Sequence, residues 1–69
     1  MPPVRRGDSG ESVKWVQHFL IAAGYLREDE IDGDFGRITL GAVLAFQFDN
    51  GLAVDGIVGP ETRAALADL

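Results

Sequence analysis

The chain has 69 residues and no cysteine, carries a formal net charge of −5 and is 46% apolar. That length supports one small core, and the missing cysteines exclude a disulfide framework and a thiolate zinc site. The acidic balance speaks against nucleic acid, whose phosphates demand a basic face, and against an anionic membrane surface. The longest apolar run, residues 19–23, is far too short to span a bilayer. A 25% charged fraction beside so many apolar residues argues against disorder. No apolar segment follows Arg5 and Arg6 as a secretion signal requires. The chain therefore reads either as a domain of a longer secreted protein, placed outside the cell or at its wall, or as a small protein that starts in the cytoplasm.

The expectation is one domain over residues 1–69. Residues 1–6, with Pro2 and Pro3, read as an extended leader. Asp8 or Ser9 then caps a first helix over about 10–23, with Glu11 completing a capping box. Val13, Val16, Gln17, Leu20 and Ala23 fall on one face of it, and Gly24 ends it. An acidic connector follows, and then a glycine-punctuated loop, Asp32-Gly33-Asp34-Phe35-Gly36. The second helix covers about 37–50. After Gly51 comes a second loop, Asp55-Gly56-Ile57-Val58-Gly59, and Pro60 opens a third helix over about 60–67.

The two loops are copies. Asp32-Gly33-x-Phe35-Gly36-x-x-Thr39-x-x-Ala42-Val43 is repeated as Asp55-Gly56-x-Val58-Gly59-x-x-Thr62-x-x-Ala65-Leu66. Val13-x-x-Val16-Gln17 is echoed by Val43-x-x-Phe46-Gln47. The fold class is all-α: a compact three-helix bundle holding two repeated Asp-Gly loop–helix units.

These motifs, with Gly10, Leu20, Gly24-Tyr25 and Gly51-Leu52, resemble the peptidoglycan-binding domain of the three-helix type over about residues 6–66. The resemblance implies a non-catalytic module that binds bacterial cell-wall peptidoglycan and raises the local concentration of a linked or partner cell-wall hydrolase of bacterial or phage origin. Similar domains also form the pro-segments of matrix metalloproteinases, where they pack against protein.

The residues agree with a binding role. His18 is the one histidine and lies mid-helix, so there is no serine–histidine–carboxylate set. Asp32, Asp34 and Asp55 could pair as glycosidase carboxylates by type, but so short a chain cannot enclose a sugar. Asp32-x-Asp34 starts like a calcium loop, yet Gly36, Arg37 and Val43 stand where its later ligands and turn glycine belong. No metal and no cofactor are expected. The candidate ligand-binding residues are Asp32, Gly33, Asp34, Phe35, Arg37, Gln47, Asp55 and Gly56. Each loop leads into a helix whose first N–H groups suit a carboxylate or carbonyl, Asp32 and Asp34 suit an amine of the stem peptide, and Arg37 a carboxylate. The alternative for each is structural: Asp32 and Asp55 closing their turns, Phe35 plugging the core, Gln17 and Gln47 tying loops to helices.

One feature exceeds the needs of such a core. Leu40, Leu44 and Phe48 make a second apolar stripe on helix two, at positions commonly polar in the family, and Trp15 and Phe19 lie off the inner face of helix one. These five residues either cover each other and Val4 or form an interface for a homo-oligomer or another protein. A protein-interaction module on the same fold is thus the second reading.

Overall fold

The computed structural model describes residues 2–68; Met1, counted in the leader, lies outside them. Three α-helices run in order, α1 (Glu11–Ala22), α2 (Arg37–Asp49) and α3 (Pro60–Ala67), with a 3₁₀ turn (Glu28–Glu30) between the first two. Among the described residues there is no strand.

The apolar faces converge as their spacing predicts. Val13, Val16 and Leu20 from α1 meet Ala42, Val43 and Phe46 from α2 and Leu66 from α3. Phe35 and Val58, one from each Asp-Gly loop, plug the same core. Both long helices end in the same way. Gly24 and Gly51 take positive φ, at 89° and 67°. Their N–H groups donate to Ile21 and Phe48, and the next residues, Tyr25 and Leu52, donate back to the carbonyls of Leu20 and Gln47. This double bond closes the last helical turn, and glycine accepts the left-handed conformation at little cost.

The start of α1 differs from expectation. No side chain caps it and there is no capping box with Glu11; the N-cap is Gly10, at φ 112°. Asp8 instead accepts from the Arg5 N–H at 3.0 Å. The reason lies in the backbone of residues 7–10, which is held by loop one: Gly7 donates to the Phe35 carbonyl, Phe35 to Asp8, and Gly10 to Gly33, each at 2.9 Å. A chain so paired cannot also fold Asp8 back onto the helix. Further upstream, Val4 is buried and exchanges both backbone hydrogen bonds with Val58 of loop two, at 3.1 and 2.7 Å. Residues 4–10 therefore stitch both loops together.

Candidate functional site

Each Asp-Gly loop is organised by one buried glutamine. Gln17, on α1, is fully buried. Its Oε1 accepts from the N–H groups of Asp32 (3.2 Å) and Gly33 (2.9 Å). Its Nε2 donates to Asp32 Oδ1 (3.0 Å), the Asp34 carbonyl (3.1 Å) and Thr39 Oγ1 (3.0 Å). Gln47, on α2, repeats this set. It accepts from Asp55 and Gly56 at 3.2 and 3.0 Å. It donates to Asp55 Oδ1, the Ile57 carbonyl and Thr62 Oγ1 at 3.0, 3.0 and 3.1 Å. A primary amide offers two hydrogens and one acceptor oxygen, so each side chain is fully used inside the protein. Every buried side-chain nitrogen and oxygen among the described residues has a partner.

The aspartates close their own turns. Asp32 Oδ1 accepts from the Asp34 N–H at 3.0 Å and Asp55 Oδ1 from the Ile57 N–H at 2.9 Å. Those backbone donors first, and the glutamine amides second, hold both carboxyls below the usual carboxylate range. Gly33 and Gly56 adopt φ of 78° and 75° inside the turns.

Outside each turn lies a groove, and the two grooves occupy matching places in the repeat. Groove one, about 530 Å³, is lined by Asp29, Glu30, Asp32, Asp34, the backbone of Gly36, and Arg37, Ile38 and Thr39. Groove two, about 340 Å³, is lined by Ala53, Asp55, Ile57, Gly59, Pro60, Glu61 and Thr62. The linings are different in kind. Asp34 and Arg37 in the first are replaced by Ile57 and Pro60 in the second. The first turn of α2 has no acidic residue and no side-chain cap, and its first two residues, Arg37 and Ile38, line groove one. The first turn of α3 begins with proline, which has no N–H, and holds Glu61, whose charge offsets the positive helix end.

The expected ligand residues separate accordingly. Asp32, Asp34 and Arg37 are brought together at groove one, exposed. Phe35 (2% exposed) and Gln47 (0%) face inward and present no side chain to solvent. Gly33 and Gly56 are buried turn backbone. Asp55 is exposed but lines the other groove. Ile38, 62% exposed beside Arg37, and the acidic Asp29 and Glu30 also line groove one, beyond the residues expected from the sequence. The helix start at Arg37 was the available signal for Ile38, since the first turn must share the groove.

The five residues of the extra apolar set also separate. Phe48 is 75% exposed. Trp15, Phe19, Leu40 and Leu44 are half-buried. Trp15 and Phe19 pack with ring centroids 4.6 Å apart and their planes tilted by 44°, and the Arg63 guanidinium lies 5.4 Å from the indole, tying α1 to α3. Leu40 and Leu44 cover the second turn: a Cβ at Gly56 would fall 2.6 Å from Leu40 Cδ1 and 3.6 Å from Leu44 Cδ2.

The chain is similar in sequence and fold to known proteins. An N-acetylmuramoyl-L-alanine amidase, CwlL of Bacillus licheniformis, is 48% identical over 65 residues, which is 93% of this chain and 18% of that protein. A spore cortex-lytic enzyme of Halalkalibacterium halodurans is 40% identical over 63 residues, 91% of this chain and 19% of that enzyme. The chain thus spans under a fifth of either relative. In the crystal structure of a peptidoglycan-binding protein from Clostridioides difficile in complex with glutamine hydroxamate, a region 43% identical superposes with a TM-score of 0.89, over 94% of this chain and 40% of that one. The sequence model of a family described as "Putative peptidoglycan binding domain" matches residues 9–66, and the chain belongs to that family.

Proposed function

We propose that the chain binds bacterial cell-wall peptidoglycan at groove one, without hydrolysing it, and so holds a linked or partner hydrolase against the wall or another extracellular layer of peptidoglycan. Family membership supports the ligand. The observation that carries the location is the unequal lining of the two grooves. Of the two grooves, groove one alone combines a free carboxylate, Asp34, with a guanidinium, Arg37, and a helix start that no side chain caps and no proline opens. Peptidoglycan stem peptides present carboxylates, amides and amines at close spacing, and this set answers all three. Ile38 supplies an apolar wall for an alkyl group.

Co-sedimentation with purified sacculi tests this. Asp34 and Arg37 are exposed, and neither side chain takes part in a hydrogen bond or ion pair among the described residues. Arg37→Ala and Asp34→Ala therefore keep the folded stability within about 0.5 kcal/mol and weaken pelleting. Glu61→Ala in groove two leaves pelleting unchanged. Full pelleting by both groove-one variants would remove the site assignment.

A further inference from the structure

The two glutamine clamps are equivalent in geometry, but the grooves they support are not, and this separates two roles that a single variant would confuse. We infer that Gln17 is the positioning residue of the peptidoglycan groove, whereas Gln47 has a purely structural task; the inference rests on the placement of binding at groove one.

Gln17 touches both edges of groove one from beneath. Asp32 and Asp34 form one edge and Thr39, in the first turn of α2, the other, and the same carboxamide holds all three at 3.0 to 3.1 Å. The side chain is fully buried, so it meets no ligand and acts only through the groups it holds. Asp34, on the turn, is held by this clamp at its carbonyl, and Arg37, on the helix, lies in the chain between it and the clamped Thr39. Their separation is therefore fixed by Gln17 and by the Gly36 N–H, which donates to the Asp34 carbonyl at 3.1 Å. A groove set in advance binds without the entropic cost of ordering itself around the ligand. Gln47 fixes Asp55, Ile57 and Thr62 in the same manner, but the groove there has no guanidinium and no carboxylate at the place of Asp34, where Ile57 stands, and its helix begins with Pro60, which has no N–H.

The test uses matched pairs, Gln17→Met with Gln47→Met and the milder Thr39→Val with Thr62→Val. Thermal denaturation and sacculus co-sedimentation are measured on each, the latter well below the lowest Tm. The expected result is that Tm falls by similar amounts within each pair. The apparent Kd for sacculi rises on the order of tenfold for Gln17→Met and by less for Thr39→Val, and is unchanged for both unit-two variants. Equal loss of binding in the two units, or full binding by Gln17→Met, would overturn the inference. Should Gln17→Met fail to fold, the threonine pair decides on the same terms. Arg37→Ala is run alongside: if it loses binding while Gln17→Met and Thr39→Val retain it, the positioning role alone is wrong, and if Arg37→Ala also retains it, the groove assignment falls and takes this inference with it.

Discussion

The first and second Asp-Gly units have the same skeleton and different surfaces. Both have an aspartate closing its turn, a glycine at positive φ, a core plug, a threonine and a buried glutamine arriving from the preceding helix. What covers the turn is different. Lys14 and Leu44 each stand three residues before their glutamine. A Cβ at Gly33 would lie 3.1 Å from Lys14 Cε, whereas one at Gly56 would lie 2.6 Å from Leu40 Cδ1. A lysine stem can lie on a turn and still place its charge in water; two leucines form a lid. Unit one is also looser in chain length, with fifteen residues from glutamine to aspartate against eight in unit two. The longer connector carries Asp29 and Glu30 to the rim of groove one. The comparison teaches that the repeat specifies a scaffold, and that the substitutions on it decide which copy can meet a ligand.

The sharpest way to break this comparison is at the turn glycines. Either glycine replaced by alanine puts a Cβ into a left-handed conformation, at a cost of about 1 kcal/mol. At Gly33 the neighbour is the end of a flexible, exposed lysine and can move. At Gly56 the Cβ enters a packed leucine, which adds about 2 kcal/mol of overpacking. Gly56→Ala is therefore expected to lower Tm by roughly 15 °C and Gly33→Ala by roughly 5 °C, converting at the slope typical of a domain this small. Equal losses would show that the two covers are mechanically alike.

Acid titration probes what the units share. Asp32 and Asp55 both have folded-state pKa values below that of the unfolded chain, about 3.9. For a depressed carboxyl the stabilisation is fully present above the unfolded pKa and is lost as pH falls through the folded one. Tm should stay level from neutrality to about pH 5 and drop below about pH 4. Asp32→Asn and Asp55→Asn should each reduce that drop, and by similar amounts, because the donors around the two carboxyls match. Circular dichroism melts across the acid range check this, and a drop abolished by one variant alone would show that the clamps are unequal.

Much of this was legible in the sequence, for a physical reason. Helical periodicity, Asp-Gly turns and a proline at a helix start are local signals, and Val13, Val16, Leu20, Phe46 and Leu66 entered the core as their spacing requires. The glutamine ties were legible as well, because the Asp-Gly repeat has a Gln upstream in both copies. The pairing of residues 4–10 was not. Val4 with Val58, and Gly7 with Phe35, are joined by backbone bonds between distant segments, and backbone bonding leaves no trace in side-chain pattern. The missing Asp8–Glu11 capping box is a consequence of that pairing. The apolar excess of helix two was visible, but whether it met solvent depended on where loop two settled. Leu40 and Leu44 cover Gly56, and Phe48 stays outside.

That division of the stripe supplies the smallest expected effects. Leu44→Lys gives the second turn the kind of cover that the first one has, with alkyl carbons over the glycine and the charge in water, and should cost about 1 kcal/mol in lost packing. Phe48→Lys removes a ring that is 75% exposed and puts a cation near the C-terminal end of α2, where the helix dipole favours it and Asp49 is adjacent. These contributions nearly cancel, and the Tm of Phe48→Lys should lie within about 3 °C of the parent, a change of under 0.5 kcal/mol. The measurement is a pair of melts at two protein concentrations tenfold apart. A larger loss from Phe48→Lys than from Leu44→Lys, present only at the higher concentration, would mean that Phe48 is covered by a second copy in solution. In that case the stripe would serve association as well as the turn. Equal melts at both concentrations would leave Leu40 and Leu44 as the lid of loop two and Phe48 as a ring that the fold does not need.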